Sequence, residues 1–598
     1  MKRNHLLFIT LLVSALLVNG QQKSYKSQWQ FPPQDKSMLV TLDQQKELLA
    51  SEEDMKWFKD AKLGIFVHWG PALLQTDVLS WGRYGDRPGA GRPAENGIKP
   101  EVYDNLYKKF NPINFDAGKW MQQVKDFGAS YIVFTAKHHD GFCFFYAKNT
   151  DYDIMNTPYG KDICKQLADA AHKAGVKLFW YYSQPDWHHP DCLRENHYEN
   201  YLPYMKEHVD QLFTAYGKID GVFWDHLATK YWQWDSYHLL KDIKEKQAGF
   251  LSNSRVGFGW PNDQLRGDYD NPEQSLGPVN HPRYWEACLT MTDKWLYHKD
   301  GPIKPSETIL GMLIQVVGNG GNLLLNFGPN GEGEFVKEEA EVGYKVGQFL
   351  KKYGSTLYGT RRGIYMGGDW GASAQKGTSL FLHFIEKVAN NGETVFELPE
   401  LPMKIESAQG VTPGFENFKI ENGKLIITFN KESFQNQMDN IVELKLAESP
   451  ENFERIETWQ AQPIQKSEFN VSASSILNSQ NNPNVIYKTE GNIFSEGIHL
   501  KSWWQPSKTD SKPWLQLDFK NPKKVKTVLL SENMRSHSMR QFTLETKDQN
   551  GNWNKVFDGK TIGEGLRIRL NGNPIYGVRF NEVKSIYNTQ ITAFYAYE

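Results

Sequence analysis

Between about Gln45 and Tyr358, short apolar runs alternate with longer stretches whose apolar positions fall three and four apart. The runs include Leu63-Gly64-Ile65-Phe66-Val67, Tyr131-Ile132-Val133-Phe134-Thr135, Lys177–Tyr182 and Gly221-Val222-Phe223-Trp224. Apolar or β-branched at nearly every position, they read as strands buried on both faces. Between them, Asp116–Phe127 places Trp120, Val124 and Phe127 on one helical face, and Gly128 follows as a stop. Asp162–Ala174 turns Ile163, Leu167 and Ala170-Ala171 inward and ends at Gly175, and Tyr201–Tyr216 is a further helix. Phe250–Arg255 and the segment near Asn322–Phe327 read as later strands, with a helix over Glu307–Val317 between them. Strand–helix alternation of this kind predicts a (β/α)8-like barrel over residues 45–358. Arg255–Lys304 is loop-rich, so the pattern does not demand eight regular repeats.

After Arg361 the texture changes. Ser379–Phe384 and Lys424–Phe429 are short apolar runs set between Gly, Asn and Pro, which predicts a small antiparallel β-sandwich over residues 359–455. Residues 465–598 carry alternating strands such as Trp514–Phe519 and predict a C-terminal jelly-roll sandwich. A chain of 598 residues exceeds what one core usually holds, which agrees with about three domains.

Candidate chemistry lies where the strands end. The Tyr131 run breaks into Lys137-His138-His139-Asp140-Gly141, which a buried strand would not tolerate, and the Gly supplies a tight turn. His68, Tyr181, Asp225 and Arg255 end other predicted strands, and Glu273 follows in the next loop. In a barrel these C-terminal ends converge on one mouth. Histidine, tyrosine, tryptophan and arginine bind hydroxyls and apolar ring faces, and two carboxylates are what glycoside hydrolysis requires. Each has a plainer reading: the histidines capping a turn, Arg255 pairing with a structural acid, Glu273 as surface. Asp225 is the hardest to read that way, because a carboxylate directly after Val-Phe-Trp is costly without a partner. A metallohydrolase would also use His-rich strand ends. Here the first strand has no His-x-His and no late strand ends in His, so no metal is expected.

Composition narrows the partners. The formal net charge of −2 offers no field for nucleic acid or anionic lipid, and the mean hydropathy of −0.60 describes a globular chain. Aromatics reach 14% with 19 Trp, which suits stacking on sugar faces as well as β-rich cores. Residues 1–20 combine a basic start with a Leu-rich core too short to span a membrane, the pattern of a signal peptide on a secreted or periplasmic protein. The four cysteines, Cys143, Cys164, Cys192 and Cys288, are too few for a disulfide framework and match no zinc spacing.

Trp57–Gly70, WFKDAKLGIFVHWG, resembles the opening of the α-L-fucosidases of glycoside hydrolase family 29. TAKHHDGF at Thr135–Phe142 is similar to that family's most distinctive motif. Trp285-Glu286-Ala287-Cys288 and GNGGNLLLNFGP at Gly318–Pro329 follow in the family's order. The resemblance implies a retaining exo-glycosidase acting on terminal α-L-fucose of oligosaccharides or glycoconjugates, without a metal or organic cofactor. It implies Asp225 as nucleophile and Glu273 as acid/base, with Glu286 as the fallback acid. It also implies His68, His138, His139 and Tyr181 as fucose-binding residues, Arg255 beside them, Trp295 as a pocket aromatic, and Trp81 and Trp224 as further substrate contacts. Ser80-Trp81 stands where the family has Glu-Trp, Leu296 where it often has Gly, and His226 where Gly is common after the nucleophile. An α-L-galactosidase and an inactive glycan-binding barrel remain the alternatives. The C-terminal unit resembles discoidin-like (F5/8 type C) modules, with Trp503, Trp504 and Arg535 as candidate ligand contacts.

Overall fold

The computed structural model describes residues 32–598 apart from 91–93, 226–228, 257–266, 278–280, 369, 386–393, 459–462, 487–502, 534–537, 564–565 and 587. The leader expected at residues 1–20, His226 and Arg535 lie outside the described residues.

Seven parallel strands form the first sheet: β1 (Leu63–Val67), β2 (Tyr131–Lys137), β3 (Lys177–Tyr182), β4 (Gly221–Trp224), β5 (Leu251–Ser252), β6 (Trp285–Thr290) and β7 (Gly321–Phe327). Their order across the sheet is β5-β4-β3-β2-β1-β7-β6. Side chains alternate across this wall. Phe66, Tyr131, Val133, Phe179, Tyr181, Phe223 and Leu324 point into the barrel. Val67, Ile132, Phe134, Trp180, Val222 and Trp224 point out against the helices. Burial on both faces is why the strands read as continuous apolar runs.

The predicted helices form this outer layer. Ala117–Asp126 is capped by the Asp116 carboxylate on Lys119 N. Ile163–Ala174 is capped by Asp162 and ends on Gly175, whose φ of 69° suits a residue without Cβ. Two expectations are corrected. β5 is only two residues long, because the chain turns into a 3-10 helix at Ser254–Val256 and carries Arg255 with it. Trp285–Thr290, foreseen only as a motif, is a full strand.

The barrel closes between β5 and β6 through an irregular eighth stave. Asn253 bridges Tyr269, Asp270 bridges Trp285 and Glu273 bridges Cys288, all in parallel sense. Pro272 sits in this stave; it has no N–H to give a neighbour, yet its carbonyl accepts from Cys288 N at 3.0 Å. Glu273 therefore stands on a barrel stave and not in a free loop.

Beyond the barrel, two antiparallel sheets of five and three strands lie between Arg361 and Leu446 around Phe384, Phe396, Phe429 and Phe434. A second pair of five and three strands runs from Phe469 to Tyr597 around Leu517, Phe542, Phe580 and Phe594. Arg455 ties the first pair to the barrel by donating to the Gly318 carbonyl at 3.0 Å. Arg540 ties the second by donating to the Ile303 carbonyl at 3.0 Å. Among the described residues no helix is long and apolar enough to cross a membrane.

Inside the barrel, the Tyr131 ring crosses directly over Gly64, where a Cβ would lie 2.2 Å from the ring. Gly64→Ala is expected to displace the phenol and destabilise the barrel by about 1–3 kcal/mol, read as an earlier urea transition.

Candidate active site

The same alternation that fills the barrel decides what reaches its mouth. His68 continues the inward series of Phe66, Tyr181 lies inward on β3, and Asp225 follows inward-facing Phe223 by two residues. Trp224, expected to contact substrate, is one residue out of phase. It is fully buried on the outer face, and its indole N–H donates to Ser252 Oγ at 3.2 Å. It packs the helix layer and does not reach the mouth.

Arg255 organises the two carboxylates. Its guanidinium donates to Asp225 Oδ1 at 2.7 Å and to Glu273 Oε2 at 2.9 Å, so one planar cation spans both. Asp225 Oδ2 accepts the Tyr181 hydroxyl at 2.5 Å and lies 3.4 Å from His139 Nε2. Burial raises the Asp225 carboxyl's cost of ionising, but the Arg255 cation and the Tyr181 hydroxyl oppose it, and its pKa is held below the ordinary value. Asp225 is thus an ionised, nearly buried carboxylate. The Glu273 side chain is 35% exposed, so the two acids meet different surroundings.

Around them stand three histidines. The His138 ring stacks on Tyr181 at 5.4 Å with 7° between planes, and His68 packs against Trp295 at 4.9 Å. Burial lowers the pKa of His68 and His139 to about 4 and that of His138 well below its usual value. All three rings are neutral near pH 7. Trp81 reaches the rim: 38% exposed, it meets His139 edge-on at 5.8 Å.

Several neighbours were missed in the sequence. Trp187 packs between Trp81 and His139 at 5.1 Å from each, and Arg87 lies over both indoles. Ser80, Ser183 and Asn326 bond the pocket histidines from behind. Lys137, fully buried, faces Asp186 Oδ2 at 3.6 Å. Gly141 leaves room for that acid: a Cβ there would lie 2.4 Å from Asp186 Oδ1. Lys137 and Gly141 carried a signal as parts of the His-His motif, Ser80 as a departure from the family pattern, and Asn326 as part of the Gly318–Pro329 motif; Trp187, Arg87, Ser183 and Asp186 carried none.

The Alpha-L-fucosidase family model matches residues 34–355, more than half of the chain. The chain belongs to the α-L-fucosidase family. It is a glycoside hydrolase by that membership. A putative α-L-fucosidase of Caenorhabditis elegans is 27% identical over 393 residues, 62% of this chain and 80% of its own length. The human tissue α-L-fucosidase is 26% identical over 376 residues, 56% of this chain and 78% of its own. Among solved structures, α-L-fucosidase isoenzyme 1 of Paenibacillus thiaminolyticus is 29% identical with a TM-score of 0.59, covering 66% of this chain and all but 1% of that one (99%). A family 29 α-L-fucosidase of Bacteroides thetaiotaomicron, solved as a trapped covalent intermediate with 2-fluoro-fucosyl fluoride, shares the fold at 24% identity and a TM-score of 0.59, covering 70% and 99%. A second model, the NedA-like, galactose-binding domain, matches residues 489–580. In that module Trp504 is fully buried and its indole N–H donates to the Ser475 carbonyl at 3.0 Å, so it is a core residue and not a ligand contact. Trp503 donates to Gln505 Oε1 at 3.1 Å.

Among the described residues of this fucosidase-family barrel, His138, His139 and Asp225 each offer a ligand atom within 4.8 Å of the others. The donor set suits a metal poorly: both Asp225 oxygens already accept, one from a guanidinium and one from a phenol.

Glu286, the fallback acid, is far from this mouth. Its strand pairs it with Asn322 near the start of β7, and its carboxylate accepts from Tyr131, the first residue of β2, at 2.5 Å. It sits on the barrel floor, fully buried. Burial raises its pKa from 4.5 to about 8, against the opposing bonds from Tyr131 and Asn271. The stability that its protonated form confers is whole below about 4.5 and is lost as pH rises through about 8. Glu286→Gln, which cannot ionise, is expected to gain on the parent protein steadily across that window. Melting temperatures of both proteins between pH 4.5 and 8 check this; a constant difference would mean Glu286 does not titrate there.

Proposed function

We propose that this chain is an exo-acting, retaining α-L-fucosidase in which Asp225 is the nucleophile and Glu273 the general acid/base. The observation that carries the reading is the Arg255 bridge, which brings one buried, ionised carboxylate and one part-exposed carboxyl to the same cation at the barrel mouth. The fucose ring would enter the slot lined by His68, His138, His139 and Trp295, with its anomeric carbon toward Asp225. Asp225 attacks that carbon as Glu273 protonates the departing oxygen, leaving a glycosyl ester of inverted configuration. Water then enters on the face the leaving group vacated, Glu273 takes its proton, and the second inversion restores the original configuration. The developing ring charge is met by the Asp225 carboxylate in a water-poor pocket. The trapped covalent intermediate of the Bacteroides relative supports a two-step course. Residues 1–20 support export from the cytoplasm, and the galactose-binding-type module supports action on glycans outside it. The three domains, with boundaries at 45–358, 359–455 and 465–598, complete this reading.

Asp225→Ala is expected to abolish turnover of every substrate. General acid help contributes roughly 10²–10⁴-fold, and a dinitrophenyl fucoside leaves without it. Glu273→Ala should therefore show a burst on that substrate followed by slow turnover. Azide should accelerate the slow step and give α-fucosyl azide. A β-azide would exchange the two roles, and equal losses on good and poor leaving groups would remove Glu273 from the chemistry. Turnover of an α-L-galactoside in preference to the fucoside would replace the substrate.

A further inference from the structure

The hydroxyl and amide groups behind the pocket histidines favour one proton position on each ring. Ser183 has a single hydroxyl hydrogen, and it is committed to the Pro185 carbonyl at 2.7 Å, which can only accept. Lys137 Nζ donates to the same carbonyl at 3.2 Å. Ser183 Oγ therefore offers a lone pair to His139 Nδ1 at 2.6 Å, and Nδ1 carries the hydrogen. The neutral ring then presents a bare Nε2, 3.4 Å from Asp225 Oδ2. At His68 the Asn326 amide is oriented by its own donation to the Trp295 carbonyl at 2.7 Å, so its Oδ1 faces His68 Nδ1 at 2.7 Å. That nitrogen carries the hydrogen too, and His68 Nε2 is an acceptor. His138 is reversed. Ser80 Oγ accepts the Asp140 N–H at 2.9 Å, and its hydrogen has two acceptors in reach, His138 Nδ1 at 2.6 Å and the Asp140 carboxylate. That carboxylate already accepts the Tyr103 hydroxyl at 2.7 Å and the Phe142 N–H at 3.3 Å, so the Ser80 hydrogen is assigned to His138 Nδ1 and the proton of His138 to Nε2. Ser80 and Ser183 are fully buried, which denies both hydroxyls bulk water as an alternative partner.

We infer that Ser80, Ser183 and Asn326 are positioning residues that fix the tautomers of the three histidines, so that the slot presents two acceptor nitrogens, on His68 and His139, and one N–H donor, on His138. The inference about specificity rests on the fucosidase reading; the tautomers do not. His139 Nε2 and Asp225 Oδ2 are two acceptors facing one another, and a group with a hydrogen to give, such as a ring hydroxyl, suits the space between them. Deoxy or O-methyl sugars lacking that hydrogen would leave buried acceptors unpaired, which is the kind of rejection that reaches large ratios. Ser80 is of particular interest because it stands where the family resemblance expects a carboxylate.

The test is long-range 1H–15N correlation on the full chain, deuterated and labelled with 15N-histidine, at pH 7 without ligand. Single His→Gln variants at 68, 138 and 139 assign the three rings. Expected are Nδ1–H forms for His68 and His139 and an Nε2–H form for His138. Ser183→Ala should shift His139 toward Nε2–H and raise KM for an aryl α-L-fucoside by roughly 10-fold, and Ser183→Thr should restore both. An Nε2–H or doubly protonated His139 in the parent protein overturns the assignment, as does an unchanged His139 signature in Ser183→Ala. If Ser183→Ala does not fold, the parent spectrum decides alone. Expected tautomers in a protein that turns over no fucoside would support the assignment and defeat the enzyme reading.

Discussion

The structure depends on keeping one carboxylate ionised almost out of contact with water. An unpaired Asp225 would cost several kcal/mol at its depth. Arg255 supplies the countercharge, the Tyr181 hydroxyl supplies a second bond, and the neutral His139 ring closes the remaining side at 3.4 Å. Each partner comes from a different stave. Satisfying this charge therefore requires β2, β3, β4 and the turn after β5 to hold their register together. Removing any one partner leaves the others arranged around a mismatched ion.

The His-His motif serves that requirement from behind the pocket. Lys137 and Asp186 form a buried pair across the turn that follows β2, and Gly141, at φ 88°, lets the chain bend close against the Asp186 carboxylate. The pair anchors the Pro185 carbonyl, on which both Lys137 and Ser183 converge. A stretch that looks like five polar residues at a strand end is thus a charge-compensated hinge carrying two imidazoles.

Much of the barrel was legible because a wall buried on both faces writes itself as uninterrupted apolar runs. His68, Tyr181 and Asp225 followed from where those runs stop. Trp224 was misjudged because an apolar run gives no sign of which side each residue faces; only the inward placement of Phe223 settles it. The stave over Tyr269–Gln274 was invisible for a different reason. It contains Pro272, pairs by isolated bridges and lacks an apolar repeat, so nothing in its sequence separates it from a loop. Ser80 and Asn326 stood in stretches that the family resemblance picked out, but their roles, like Ser183 itself, were illegible because they depend on partners distant in the chain: Ser80 and His138 are 58 residues apart, and His68 and Asn326 are 258. Glu286 carried a motif signal, but its position in the strand puts it at the wrong end of the barrel.

The closing stave also divides the two acids by mechanical character. Asp225 ends a strand laddered into the main sheet, whereas Glu273 is mounted on a segment stitched to its neighbours one residue at a time. An insertion or deletion within the main sheet would turn a whole row of side chains to the wrong side. A change of length or sequence in the stitched segment disturbs little beyond itself. With the roles proposed above, the barrel offers evolution a fixed post for Asp225 and an adjustable one for Glu273, and new leaving groups can be accommodated by moving the second without re-registering the first.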